Sequence, residues 1–282
     1  MDFEIAAGGI TGTMHSDPLV SKANQDAFAI RRTNTAITAL ICDGCSKGPY
    51  SEVGAHIGAR LFVEAIESQV AHIPVPSLTD ELFPVILERV RLDVLAQIRG
   101  LANLMGGSFS ETISDYFLFT VVGMVMTPLR TWTFSIGDGV FIVNGEITRL
   151  GPFPENEPPY PALGLVRSKI APELLVFGVN KSCWTNQVDS ILIGSDGVVD
   201  LVRAGEKELN LPGTKEPIGP ISQFWEVDRY FAGPHWIRRR LVLANQFGVR
   251  LDRTGSDIIR EYGLLPDDTT IVVVRRTPNR EE

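Results

Sequence analysis

At 282 residues, with 44% hydrophobic side chains, the chain is long enough for one large domain or two small ones and apolar enough for a substantial core. Its formal charge of −8 leaves no broad basic footprint for nucleic acid, so anions must be held by metals or local bases. No apolar run reaches the roughly 20 residues of a bilayer crossing, Met1-Asp2-Phe3-Glu4 lacks the basic start of a secretory signal, and three cysteines do not make a disulfide scaffold. These features predict a reduced, cytoplasmic protein without membrane or nucleic-acid partners.

The first predicted element is a strand over residues 3–13, followed by a polar loop from His15 to Lys22. A strand over 27–30, entered at Asp26, turns at Asn34 into an apolar strand over 36–42, which places Asp26 and Asp43 at one sheet end. After a Gly/Ser/Pro loop over 44–50, Ser51-Glu52 opens a helix with Val53, Ile57, Leu61 and Ala65 as its apolar stripe, and its N-terminus favours an anion. Residues 73–78 link to a long helix that starts between Thr79 and Leu82 and ends near Leu104, with Val85, Ile86, Leu92, Leu95 and Ile98 buried. A glycine-serine turn over 105–110 leads into strands at 116–127, 131–136, 140–144 and 147–150, read as an antiparallel meander.

Prolines at 152, 154, 158, 159 and 161 exclude helix and central strand over 151–164, which reads as a surface loop or flap. Strands at 174–179 and 191–194 follow, the second delivering Asp196 and a short helix through Val202. A linker over 204–220 precedes helices near 222–231, 235–247 and 254–262, then a final strand over 271–274. Runs of strands with interposed long helices indicate an α+β sandwich rather than an alternating βαβ fold. The whole of 1–282 is read as one domain, with 151–164 as its proline-rich loop and about 204–262 as a helical insertion.

The chemistry lies at strand ends. Asp43-Gly44 closes one apolar strand, the same grammar recurs at Asp138 and Asp196, and Asp267-Asp268 stands immediately before the last strand. Carboxylates without His or Cys partners suit hard oxygen-seeking cations. Cys42 and Cys45 form a C-x-x-C, but no second Cys or His pair lies at ligand spacing, so core packing outweighs a redox or zinc role. His15, His56, His72 and His235 complete no nucleophile-base pattern and read as structural or exposed, and Arg238-Arg239-Arg240 reads as a solvated helix face.

Asn24-Gln25-Asp26, Cys42-Asp43-Gly44, Ile136-Gly137-Asp138-Gly139, Gly194-Ser195-Asp196-Gly197 and Asp267-Asp268-Thr269-Thr270-Ile271-Val272, in that order, resemble the motif set of the metal-dependent protein phosphatases, the protein phosphatase 2C-like family. The resemblance implies an antiparallel β-sandwich flanked by helices in α-β-β-α layers, with a binuclear Mg2+ or Mn2+ centre at one sheet end. It implies that Asp43 bridges the ions, that the Gly44 carbonyl binds one and that Asp196 and Asp267 complete the other. Asp26 acts through water, and Asp138 holds a third, weaker ion. The implied activity is hydrolysis of phosphoserine and phosphothreonine on protein substrates by a metal-activated water, in a monomeric enzyme with Asp43, Asp196 and Lys22 catalytic.

Three positions depart from the family pattern. Gln25 stands where Glu is frequent, Cys45 where some members carry a His acid, and Ser21 where a phosphate-binding Arg is expected, leaving Lys22 as the nearest base. These departures keep a non-catalytic, phosphatase-like signalling or binding module as the alternative, beside a hydrolase of small phosphate esters.

Overall fold

The computed structural model describes residues 1–15, 22–251 and 258–277. In chain order the first elements are β1 Phe3–Ile10, β2 Asp26–Arg32, β3 Ile37–Gly44, α1 Ser51–Val70, α2 Leu82–Met105, α3 Phe109–Tyr116, β4 Phe119–Met126 and β5 Arg130–Ile136. They are followed by β6 Gly139–Val143, β7 Glu146–Leu150, β8 Gly178–Trp184, β9 Ser190–Gly194, α4 Val198–Glu206, α5 Gln223–Glu226, α6 Trp236–Asn245, β10 Gly248–Leu251, β11 Ile258–Glu261 and β12 Thr269–Arg276.

Two five-stranded antiparallel sheets form the centre, one ordered β1-β12-β9-β6-β7 and the other β2-β3-β4-β5-β8. Strand alternation sorts the side chains. On β3, Ile37, Ala39 and Ile41 point into the gap between the sheets, where they meet Ile191, Ile193, Val272 and Val274. Leu40 and Cys42 point the other way, into an apolar layer with Phe62 of α1 and Phe83 and Val90 of α2. The first sheet turns Val140, Leu192, Ile271 and Val273 outward against Leu201, Phe224, Ile237 and Leu241 of α4, α5 and α6. The chain is therefore a mixed α+β protein whose antiparallel sandwich is flanked by helices, and the inner strands β3, β4, β6, β9 and β12 are almost wholly buried because both their faces are covered.

Several local expectations are corrected. The buried stripe of α1 is Ala55, Ala59, Phe62, Val63 and Ile66, whereas Val53 is 40% exposed. Small residues face inward because the helix packs so closely that a Cβ on Gly54 would lie 1.7 Å from the Tyr116 carbonyl oxygen at the end of α3, and one on Gly58 2.3 Å from the Phe119 ring of β4. On α2, Val85 and Leu92 face solvent, and Phe83, Leu87, Val90 and Val94 join Ile86, Leu95 and Ile98 inside. The start of the 116–127 strand is taken by α3, whose N-cap Ser108 accepts the Glu111 N–H.

The four-strand meander is broken at Asp138: β4 pairs β5 in one sheet and β6 pairs β7 in the other, so residues 137–138 are a crossover and not a hairpin. Positive φ at Gly137 (91°) and Gly139 (135°) permits that crossing. Residues 172–175 form a 3-10 turn, and the strand expected at 174–179 runs instead over β8. The third helix expected at 254–262 is a strand, β11, over its described part, and 252–257 lie outside the described residues. No helix among the described residues is long and apolar enough to cross a membrane.

Candidate metal centre

The turn after β2 sets the position of two carboxylates. Thr33 accepts the Ala36 N–H through its hydroxyl at 3.1 Å and donates its own N–H to the Ala36 carbonyl at 2.9 Å, which fixes the β2–β3 register so that Asp26 stands opposite Asp43. In the facing sheet, Ile271 and Val140 both pair with Gly194, so Asp267 before β12, Asp138 before β6 and Asp196 after β9 emerge at one end. Asp43, Gly44, Asp138, Asp196 and Asp267 line one cleft of about 490 Å³. Asp26, 3% exposed, lies behind it.

A shell of hydrogen bonds holds these groups. Ser195 Oγ donates to Asp26 Oδ2 at 2.7 Å and accepts the Thr270 N–H at 3.0 Å, joining the two sheets beside the cleft. Asp268 accepts the Gly12 N–H at 2.7 Å and the Gln25 N–H at 2.5 Å, and His15 Nδ1 lies 3.0 Å from its Oδ1. One buried carboxylate thus fixes the neighbours of both Asp267 and Asp26. His15, Asp267 and Asp268 bring a nitrogen and two carboxylate oxygens within 4.8 Å of one another. Both oxygens of Asp268 are engaged by backbone N–H groups, so this trio buttresses the site. The hydrogen bonds of Ser195, Asp268 and His15 have no local signal in the sequence; the alternation that sends Asp196 into the cleft also turns Ser195 behind it.

Gln25 is 1% exposed, and its amide donates to the carbonyls of Cys45 and Gly48 at 3.3 Å and to the Ser51 hydroxyl, so it staples the 45–51 loop. Its role is to shape the loop beneath Asp43. Cys42 packs in the helix-side core while Cys45 lines the cleft with Tyr160, so the C-x-x-C thiols lie in different environments and are free. Lys22, expected as the phosphate-side base, donates to the Ser46 carbonyl and is not among the residues lining the cleft. That bond braces the loop at Ser46. Ser21 lies outside the described residues.

Burial is the largest cause of a raised pKa at every one of the five carboxyls. Asp43 is raised further by Asp26, Asp196, Asp138 and Asp267, and Asp26 is raised despite the Ser195 hydrogen bond. Asp196 is pushed up to about 7, by burial and then by Asp267 and Asp138, and Asp138 to about 6. Asp267 is raised as well, with His15 opposing. Asp26 Oδ1 is buried without a hydrogen-bond partner. An all-oxygen set short of countercharge fits a hard divalent cation, so the residues present suit Mg2+ or Mn2+.

The sign of the shifts gives a stability prediction. Carboxyls with raised folded-state pKa bind protons more tightly in the native state, so stability is greatest when they are protonated and falls as pH rises from about 4 toward 7 and above. The EDTA-treated protein is expected to melt several degrees lower at about pH 7.5 than at about pH 5.5, and Mn2+ at the higher pH should restore the difference. A metal-free melting temperature that rises with pH over that window would count against the cluster.

The profile of the family described as protein phosphatase 2C matches residues 11–211. The chain belongs to this family. The match spans Asp26, Asp43, Asp138 and Asp196 and ends before Asp267, which the fold supplies from β12. No curated protein matches the chain. Among solved structures, a bacterial serine phosphatase has 15% identity and a TM-score of 0.55, covering 99% of this chain and 100% of its own. The serine/threonine phosphatase Stp1 from Staphylococcus aureus has 14% identity and a TM-score of 0.54, over 98% and 95%. PppA, a regulatory component of the type VI secretion system of Pseudomonas aeruginosa, has 14% identity and a TM-score of 0.52, over 98% of each chain. At these identities the likeness is one of fold, the fold of a phosphatase family that depends on metal ions.

Proposed function

We propose that this protein phosphatase 2C chain hydrolyses phosphoserine and phosphothreonine on protein substrates at a binuclear Mg2+ or Mn2+ site. The observation that carries the reading is the meeting of the registered pair Asp26–Asp43 with Asp196 and Asp267 at one end of the sandwich, with Asp26 Oδ1 left unpartnered. Asp43 and the Gly44 carbonyl would hold one ion, Asp43, Asp196 and Asp267 the other, and Asp138 a third. Bound there, the ions lower the pKa of a water to make it nucleophilic near neutral pH and neutralise the phosphoryl oxygens.

The remaining work belongs to the chain. Ser195 and Asp268 hold the carboxylates in place before substrate arrives, which spares reorganisation during reaction. Leu118, Leu163 and Ile170 supply an apolar wall against which the organic side of a substrate can lie. Ser195→Ala should weaken Mn2+ binding about tenfold or more by freeing Asp26, as read by calorimetric titration; unchanged affinity would remove Ser195 from the account.

The test of the reading is hydrolysis of para-nitrophenyl phosphate with Mn2+ or Mg2+, with EDTA, and in Asp196→Asn. Metal-dependent turnover lost in the variant supports it. Silence toward aryl phosphates and phosphopeptides in every metal would favour the non-catalytic binding module, whose support is the absence of a side-chain acid at Cys45.

A further inference from the structure

Two loops meet over the cleft mouth. The 45–51 loop carries Lys47, four residues downstream of Asp43, and the proline-rich segment after β7 carries Glu157; the two side chains form an ion pair although 110 residues separate them in sequence. Both residues line the cleft with Asp43, Asp138, Asp196 and Asp267. The two ends of the pair are anchored differently. Under Lys47 the backbone is rigid: Gly48 donates to the Cys45 carbonyl at 2.9 Å, Ser51 Oγ donates to the same carbonyl at 3.0 Å, and Gln25 braces Cys45 and Gly48 from below. Glu157 rides on the segment between a 3-10 turn at Pro154–Asn156 and another at Pro161–Leu165.

The charge inventory of the cleft is lopsided. Asp43, Asp115, Asp138, Glu157, Asp196 and Asp267 face it against Lys47 and Lys169 among the described residues. An anionic substrate needs a cation on its approach, and of Lys47 and Lys169, the lysines that line the cleft among the described residues, Lys47 is the one four residues from Asp43 on the braced loop. We infer that Lys47 is the residue that receives an anionic oxygen of the substrate, and that Glu157 holds this ammonium between turnovers and gives it up when substrate enters. The inference rests on the phosphatase reading and deepens it. The side chains of Lys47 and Glu157 are 74% and 52% exposed, so their pairing is weak and readily exchanged, while a bond from the ammonium to an anionic oxygen inside the cleft is charge-assisted. The exchange is also a specificity device. A substrate that cannot displace Glu157 meets a carboxylate at the mouth.

The experiment compares Lys47→Met, Glu157→Gln and the double variant with the wild type, with Mn2+ present. Substrates are para-nitrophenyl phosphate and phosphoserine peptides with and without a Glu beside the phosphoserine. Binding of para-nitrobenzylphosphonate is titrated in parallel. Lys47→Met should raise KM about tenfold, with a smaller effect on kcat, and weaken phosphonate binding to match. Glu157→Gln should lower KM by freeing Lys47, and the double variant should resemble Lys47→Met. A KM change with the aryl phosphate identifies the phosphoryl group as the anion that Lys47 takes; a change confined to the Glu-bearing peptide identifies the flanking carboxylate.

An active wild type whose KM and phosphonate affinity are unmoved by Lys47→Met overturns the inference and leaves the phosphatase reading standing. The same holds if Glu157→Gln raises KM as Lys47→Met does, since the pair would then only brace the two loops. A wild type silent toward every substrate sinks the phosphatase reading, and the phosphonate titration still decides whether Lys47 takes the phosphoryl anion.

Discussion

Asp43→Asn is expected to reduce kcat for aryl phosphate and phosphopeptide hydrolysis by about a thousandfold, the factor that corresponds to roughly 4 kcal/mol of lost transition-state stabilisation. The size follows from position. Asp43 stands opposite Asp26, faces Asp196 and Asp267, and is the carboxylate on which every other member of the cluster acts electrostatically. The same change should raise the melting temperature of the metal-free protein at about pH 7.5, because an amide of the same shape removes a charge that burial and four neighbours disfavour. Activity and metal-free stability should therefore move in opposite directions. A variant that loses both has merely unfolded, and one that keeps its activity places the chemistry elsewhere.

Phe62→Ala should cost about 3–5 kcal/mol of folding stability, read as a lower denaturant midpoint with an unchanged slope. Phe62 has no exposed surface and sits edge-on to Phe119 of β4, with ring centroids 6.5 Å apart, and to Phe177 just before β8, at 5.5 Å. It is the point where α1, β4 and the residue leading into β8 meet. Val53→Ala, on the exposed side of the same helix, should shift stability by no more than about 0.5 kcal/mol. Equal losses in the two variants would mean that the stripe facing the sheet has been misidentified.

That pair of substitutions also marks where sequence reasoning fails. Val53, Ile57, Leu61 and Ala65 recur at period four, yet Val53 faces solvent and the other three only flank the core, because Gly54 and Gly58 let the helix approach closely along the stripe of Ala55, Ala59 and Phe62. Asp138 is a second case. Gly-Asp-Gly between two apolar runs reads as a hairpin, and only the three-dimensional pairing of β6 with β9 shows that it joins the two sheets. What was legible was local and periodic: the β2–β3 hairpin with Asp26 opposite Asp43, the strand that ends at Asp196, and the acidic pair before β12. Long-range partners were not legible. Nothing near Lys22 in the sequence shows its engagement with Ser46, nothing near Lys47 shows Glu157, and Asp268 is tied to Gly12 across 256 positions.

Metal-dependent chemistry at the strand ends is the central property proposed for this chain. The most direct test strips the purified chain of metal and follows phosphate release from a phosphoserine peptide as Mn2+ is added back. The prediction is no turnover in EDTA, activity that rises and saturates with Mn2+, and no recovery in Asp43→Asn at any metal concentration that saturates the wild type. Phosphate release that persists in EDTA, or that Mn2+ restores equally in Asp43→Asn, would contradict it.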